Sequence, residues 1–500
     1  MDQNNGGILG KINTPTTTVA SGVWSLDSQF EAQTSSIWPL AFPQTTFTNA
    51  CRFNSASSDY LEKTQTGSNG DQKTWTLSMW VKRAKLGTAQ VLFSFGENNS
   101  AGGKLSFDSD DFLVLNNDYQ NGGTNETDMK FRDVSAWYHI IWACDVTQSN
   151  NADRWKVYVN GNQITLTGSP SISNADGVIN RWNGFDNWIG ANARVQQSGN
   201  PANYSDVYMT EVIFVDGQQL SPTDLGVFNP VTNIWEPIPY TGTYGTNGYK
   251  LNFADSSALG DDTSGNGNDF TPNNLTSVDQ STDTCSNNFA AGNSLYRFNS
   301  GVTISEGNLQ LYVAAGWRSL ISTIGVSTGK WYAEVKFVSV HSGGNNAKAG
   351  IVALDGTVDE DVAQAHVGGS STGNNYGYEN DATIDSNGSN ASYGSTFTAG
   401  DIIGVAMDLD NNKLYFSKNG TFQNSGDPTS GSTGTGAISI NSDTYGICAS
   451  GYYGTMALNY GSPPYAVSSG NADANGHGNF EYAVPSGYFA LNTKNLSEFG

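Results

Sequence analysis

Cationic residues are scarce in this sequence: 23 Lys and Arg stand against 46 Asp and Glu, a formal charge of −23 over 500 residues. Affinity for nucleic acid rests on Lys and Arg neutralising phosphates, so no nucleic-acid partner is expected. Docking on an anionic membrane surface is excluded on the same ground. Long apolar runs are missing too. No stretch approaches the roughly 20 residues a membrane span needs, so a soluble chain without membrane insertion is expected. Cysteine is nearly absent: Cys51, Cys144, Cys285 and Cys448 are scattered, with no C-x-x-C. Cys144 follows Ile140-Ile141-Trp142-Ala143 and reads as a small buried hydrophobe. This pattern predicts folding in a reducing cytosol rather than a disulfide-built scaffold. Residues Met1 to Gly7 offer neither a basic start nor an apolar core, so no signal peptide is expected.

What the chain does hold is 12% aromatic residues, 37% hydrophobic residues and 58 glycines. That is too apolar for a disordered chain and suits many turns joining β-strands. At about 100–200 residues per domain, the length suggests two to four domains. Period-2 alternation is clear in Trp75-Thr76-Leu77-Ser78-Met79-Trp80-Val81-Lys82, in Trp155 to Val159 before the Asn160-Gly161 turn, and in Val207 to Val215. Trp137 to Cys144 is apolar on both faces, as a covered central strand would be. Further alternating segments occur at Lys330–Phe337, Ile402–Leu409 and Leu414–Ser417, while 368–395 and 424–437 read as long Gly/Ser/Asn/Thr-rich loops. With no sustained period of 3.6, the fold class is all-β: two antiparallel β-sandwiches behind an extended N-terminal arm. The expected organisation is an arm over 1–45, a sandwich over 46–235, a Gly/Asn-rich connector over 236–300 packed on the first sandwich, a second sandwich over 301–470 and a closing segment over 471–500. Two apolar pairs in the polar arm, Trp24 with Leu26 and Ile37 with Trp38, cannot bury themselves there. They dock either on the first sandwich or on another protein as an assembly anchor.

The first sandwich, through Trp75–Arg83, Ala136–Ile140, Val157–Gly161 and Glu211–Gln218, resembles the laminin-G-like, concanavalin A-like domains of bacteriophage virion proteins. The connector looks phage-like in Tyr240–Gly248 and Ser264–Asn274. The second sandwich is similar to SPRY domains in Gly329–Val335, Gly400–Asp410, Leu414–Phe416 and Asn419-Gly420, and the tail Gly478–Leu496 looks like the ending of SPRY-containing proteins of marine phages. The resemblance implies a jelly-roll, concanavalin A-like domain followed by a SPRY-like domain in a structural or adhesion protein of a tailed-phage virion.

Concanavalin A-like folds also host glycoside hydrolases, which need two carboxylates flanking the scissile bond. The patterns E-x-D-x-x-E and E-x-D-x-E are absent, and Glu211 is a lone carboxylate in its strand. Asp108, Asp110 and Asp111, like Asp359, Glu360 and Asp361, read as solvated loop charge. His139, His341, His366 and His477 are isolated, and His139 reads as a structural histidine. No enzyme is expected. Calcium is the one cofactor considered: Asp261, Asp262, Asn266 and Asp269 offer oxygens within one loop, although Asp and Asn also cap turns through backbone amides. Aromatic faces flanked by Gly and Asn suit sugar C–H surfaces, which makes Trp182, Trp188, Tyr376, Tyr378, Tyr452 and Tyr453 candidates for binding a host-surface glycan.

The expected function is therefore a non-enzymatic tail appendage or fibre-like subunit, located in the virion and held to other virion proteins by its arm. A capsid-decorating or tail-assembly role is the alternative, and a polysaccharide-degrading enzyme a third. Fibre-type proteins suggest a homotrimer, but no heptads specify a coiled coil, so sandwich faces or the arm would have to build it.

Overall fold

Trp75, Leu77, Met79 and Val81 of strand Thr74–Arg83 point into one core, as the two-residue period of a strand dictates, and the opposite face is covered as well. The computed structural model describes residues 26–34, 46–65, 70–97, 101–117, 124–167, 185–192, 201–229, 232–295, 301–344, 346–354 and 374–500. Around Thr74–Arg83 the first sheet runs Asn162–Ile164, Trp155–Val159, Trp137–Asp145, Thr74–Arg83, Val207–Asp216, Ala50–Phe53 and Gln280–Ser281, with Tyr249–Leu251 also paired to Val207–Asp216. The facing sheet runs from Leu166–Thr167 through Thr124–Lys130, Phe112–Asn117, Ala101–Phe107, Gln90–Glu97, Phe185–Ile189 and Tyr60–Gln65 to Thr271–Asn273. Trp75 meets Trp142 edge-on at 4.9 Å, and Trp142 meets Trp155 at 5.0 Å. Trp137–Asp145 is buried on both faces along most of its length, as its sequence predicts. Its His139 lies 2.8 Å from Ser78 Oγ and stacks on Trp80, and burial pushes its pKa down to about 3, so it is a neutral structural histidine.

The stretch expected as a connector supplies strands to both sheets of this sandwich and then leaves it. Lys82 lies on the face of its strand opposite the core and is 1% exposed. Its ammonium is met by Asp283 Oδ2 at 2.8 Å, Asn288 Oδ1 at 2.8 Å and the Phe289 carbonyl at 3.1 Å. Two residues later, Ala290 and Ala291 are already in the core of the second sandwich. The sandwiches also meet through Ser281 and Ser462, whose hydroxyls lie 2.7 Å apart, and through the Tyr208 hydroxyl, which donates to the Gly307 carbonyl at 2.9 Å.

The second sandwich is organised by two long strands, Gln310–Ile321 and Tyr445–Asn459, paired with each other from Gln310 opposite Ala457 to Ile321 opposite Cys448. The first half of Tyr445–Asn459 also pairs with Ala347–Ala353, and the second half with Lys330–Val340, so one strand passes between two layers. Trp331, Val335, Phe337, Ile351, Met407 and Phe416 fill the core. The segment expected as a loop over 368–395 contains, within its described part, strands Asn375–Glu379, Thr383–Ser386 and Ser389–Ser392. The one expected over 424–437 contains a 3₁₀ helix, Pro428–Thr433, capped by the Asp427 side chain on the Thr429 amide. The tail closes the fold because Glu334, fully buried, accepts the Tyr482 amide at 2.8 Å, the Glu481 amide at 3.0 Å and Asn459 Nδ2 at 3.2 Å. Phe489–Ala490 then pairs in parallel with Trp331 and Tyr332.

The described residues of 1–46 and of 222–241 belong to a separate unit. The arm, expected to be extended, contains a helix over Leu26–Thr34 with Asp27 in its first turn, where the positive end of the helix dipole favours a carboxylate. Of the proposed anchor residues, Leu26 opens this helix, and Trp24, Ile37 and Trp38 lie outside the described residues. In the same unit Gly226–Phe228 pairs with Trp235–Pro237, with the Phe228 and Trp235 rings 4.9 Å apart, and the expected boundary after residue 235 falls inside this hairpin. Phe30, Phe228 and Ile234 are exposed.

Lys82→Met leaves Asp283 buried without its cation, and an expected loss of about 3–5 kcal/mol in unfolding free energy is read by chemical denaturation. Adding Asp283→Leu returns part of that loss. Glu334→Gln weakens the acceptor for two backbone amides at an expected cost of about 2 kcal/mol, and hydrogen exchange over 471–500 rises ahead of global unfolding.

Candidate functional site

At the middle of the two long strands the ladder breaks. Val313 pairs with Gly454 and Trp317 with Tyr452, so Ala314, Ala315 and Gly316 stand opposite Tyr453 alone. The extra residues bend both strands where they change layer. Gly316, Tyr453 and Gly454 take φ values of 71°, 59° and 133°. A Cβ at residue 454 would lie 2.5 Å from the Ser339 carbonyl oxygen, so only glycine allows the third strand to approach. A tyrosine held in left-handed backbone is strained, and such strain concentrates where a side chain must be aimed.

The bend brings four rings together. Tyr452 and Tyr453 meet at 5.0 Å and 75°, His341 lies 5.3 Å from Tyr453 and 6.2 Å from Tyr452, and Trp317 lies 6.1 Å from Tyr452. Tyr453 is 39% exposed, and Tyr312 at 48% and Val338 at 46% are exposed on strands that pair with its own. The ridge has a charged foundation. Lys348, 1% exposed, puts its ammonium 5.0 Å from the centre of the Trp317 ring and is paired to Glu379 and, at 2.9 Å, to Asp385. Burial pushes the Glu379 carboxyl up, opposed by its bond to Lys348. The Asn346 carbonyl accepts the Tyr452 amide at 2.8 Å, and Asn380 Oδ1 accepts the Asn346 amide at 2.8 Å. This fixes the backbone under the rings. Aromatic faces on a rigid, partly exposed corner can take up the C–H face of a sugar ring, with tyrosine hydroxyls and an imidazole at the rim for polar contacts.

Of the six aromatics named from sequence, the structure brings only Tyr452 and Tyr453 together at a surface. Trp188 lies in strand Phe185–Ile189, 1% exposed and stacked on Tyr60 at 5.0 Å, so it offers no face to a ligand. Tyr376 and Tyr378 are core residues of Asn375–Glu379. The Tyr-Gly-Tyr pattern is alternation, with the aromatics in the core and glycine on the opposite, also covered, face. Trp182 lies outside the described residues. Trp317 and His341 escaped sequence reasoning, although Ala-Ala-Gly before Trp317 and Ser-Gly-Gly after His341 mark a bulge and a strand end.

The oxygens of the proposed calcium loop are directed elsewhere. The Asp262 carboxylate accepts the amides of Lys250, Ser264 and Asn268 at 2.8–2.9 Å, and Asp269 Oδ1 accepts the Asp262 amide at 2.8 Å. Asn266 donates to the carbonyls of Gly245 and Gly248, while Asp261 is exposed at the margin. The loop is closed by Asx-type capping, as the second reading of these residues holds. Among the described residues, no group of three or more His, Cys, Asp and Glu is placed to hold a metal. Two acidic residues also have partners that the sequence did not suggest. Glu211, at a bulge with φ 49°, pairs with Lys250 at 2.9 Å. Asp111, expected as solvated loop charge, is buried between Arg83 at 3.0 Å and Arg132 at 3.1 Å.

Residues 55–224 match the family model of the laminin G type in the concanavalin A-like lectin/glucanases superfamily, and residues 330–436 match the SPRY domain. No curated protein matches the sequence. Among solved structures, the chain is similar to the SPRY domain of human HERC1 (16% identity, TM-score 0.27, 34% of this chain and 96% of that one). It is also similar to a Bacteroides ovatus protein assigned to carbohydrate binding (16%, 0.32, 47% and 59%) and to the heptameric SAP-like pentraxin of Limulus polyphemus (17%, 0.25, 36% and 75%). The chain therefore carries a region of the concanavalin A-like superfamily followed by a region that matches the SPRY domain, both of them β-sandwich folds.

Proposed function

We propose that this protein is a non-enzymatic appendage or fibre-like subunit of a tailed-phage virion that binds host-surface glycan through the aromatic ridge of its second sandwich. The observation that carries the reading is Tyr453, strained yet exposed and flanked by Tyr452, His341 and Trp317 on a glycine-enforced corner. The phage-like motifs of the sequence and the pairing of a lectin-like with a SPRY domain support it. The first unit, with its exposed Phe30, Phe228 and Ile234, is the part we assign to anchoring on other virion proteins, and a trimer is the assembly we expect. The carboxylates joined to the ridge through Lys348, Glu379 and Asp385, are both engaged by its ammonium, which argues against acid–base hydrolysis by them.

A glycan array and a cell-adsorption assay on the purified chain test the proposal, with binding expected in both and absence in both overturning it. Release of sugar ends from host glycan would favour the hydrolase instead, and hundreds of copies on the virion head a decorating protein. The sharpest variant is Tyr453→Gly. It removes the ring and relieves the left-handed strain, so thermal stability holds or rises by about 1 kcal/mol while glycan affinity falls about tenfold. Trp188→Ala is expected to do the reverse, costing about 3–5 kcal/mol of stability and leaving affinity unchanged.

A further inference from the structure

Three carboxylates gather near one guanidinium where the two sandwiches meet. Arg52, fully buried, lies 3.4 Å from Glu306 Oε2 and 3.7 Å from Asp279 Oδ1, and donates to the carbonyls of Pro463 and Val278. The third carboxylate, Asp59, is 1% exposed. Its Oδ2 accepts the Asn54 amide at 3.0 Å, and its Oδ1 has no hydrogen-bond partner. Asn54 donates its side-chain amide to Glu306, so Asp59 and Glu306 are joined through one residue. The groups facing Asp59 are Arg52 and Cys51 from Ala50–Phe53, Asp279 from the connector and Glu306 from the second sandwich. Asp206, paired to Lys85 at 3.6 Å, holds the adjoining Ser55 amide and hydroxyl.

Glu306 sits in a turn under strain. Glu306, Gly307 and Asn308 take φ values of 52°, 64° and 67°, a left-handed run in which two of the three residues carry a Cβ. Such a run persists only where its surroundings over-determine it. Here the first sandwich does so, through Arg52 and Asn54 on Glu306 and through the Tyr208 hydroxyl on the Gly307 carbonyl.

We propose that this junction is a pH-operated latch: a proton on Asp59 keeps the strained turn of the second sandwich docked on the first, and its loss loosens the turn. Burial, then the charges of Asp279 and Glu306, push the Asp59 carboxyl up to about 7, against the Asn54 amide and Arg52. In the opened, solvated junction Asp59 returns to the ordinary carboxylate range near 4. The closed state therefore binds the proton more tightly. Opening is least favoured in acid, rises by up to about tenfold per pH unit as pH climbs from about 4 towards 7, and levels off above 7.

Hydrogen exchange on the full chain between pH 5 and 8.5, corrected for intrinsic exchange rates, reads this directly from the amides of 305–309. Wild type is expected to lose protection up to about pH 7 and then hold level, and Asp59→Asn to show a flat profile. Asp279→Asn removes one of the two like charges that push Asp59 up, so levelling off is expected at a lower pH. A wild-type profile that is flat from pH 5 to 7, or an Asp59→Asn profile that follows wild type, overturns the latch. Should Asp59→Asn fail to fold, Asp279→Asn decides, and an unmoved levelling point overturns it.

Discussion

A buried cation has to find its counter-charge inside the protein, and the assembly of the two sandwiches follows from that requirement. Alternation along Thr74–Arg83 places Lys82 on the face away from the core, where it is nonetheless covered. Its ammonium cannot remain unpaired at that depth, so Asp283 must be brought to it from two hundred residues away in sequence. The segment that carries Asp283 is consequently a structural member of the first sandwich rather than a tether, and the next few residues enter the second core. Arg52 repeats the logic two strands away in the same register, with Tyr208 between it and Lys82, and Arg83 with Asp111 does so inside the first sandwich. Arg52, Lys82, Arg83 and Lys348 are all at most 1% exposed. A chain poor in cations thus commits several of them to its interior, each against at least one carboxylate.

How much of this could be read from the sequence depends on whether the deciding contact is local. Strands with unlike faces, such as Thr74–Arg83 and Val207–Asp216, announce themselves because the pleat sends alternate residues to opposite sides. His139 was legible too, since an imidazole within an apolar strand has few alternatives. Short elements were not. Thr271–Asn273 and Gln280–Ser281 are only three and two residues long, too brief for a period, and exist because neighbouring strands supply their partners. Glycine and asparagine misled twice, hiding the strands of Trp188 and of Tyr376 and Tyr378 behind a loop-like composition. Asp262 was ambiguous in principle, since a carboxylate among turn residues suits a hard cation and a set of amides equally, and only distances decide.

The aromatic ridge shows the limit most clearly. Trp317 and Tyr452 are far apart in the chain and meet through the register of one strand pair, and His341 arrives from a third strand. No linear motif encodes that meeting. What the sequence does contain is the set of residues that permit it: Gly316 and Gly454 where the ladder shifts, and a run of small residues opposite Tyr453.

Placing the ridge on a strand corner rather than on a free loop constrains how its specificity can evolve. A loop site diversifies by insertion and deletion, because chain length there can change without disturbing the scaffold. Gain or loss of one residue in Gln310–Ile321 or Tyr445–Asn459 would instead shift register and turn buried side chains outward through the rest of the strand. Variation at this surface is therefore confined to exchanging one side chain for another at constant length. The shape of the platform would be inherited, and only its chemistry would be free to drift.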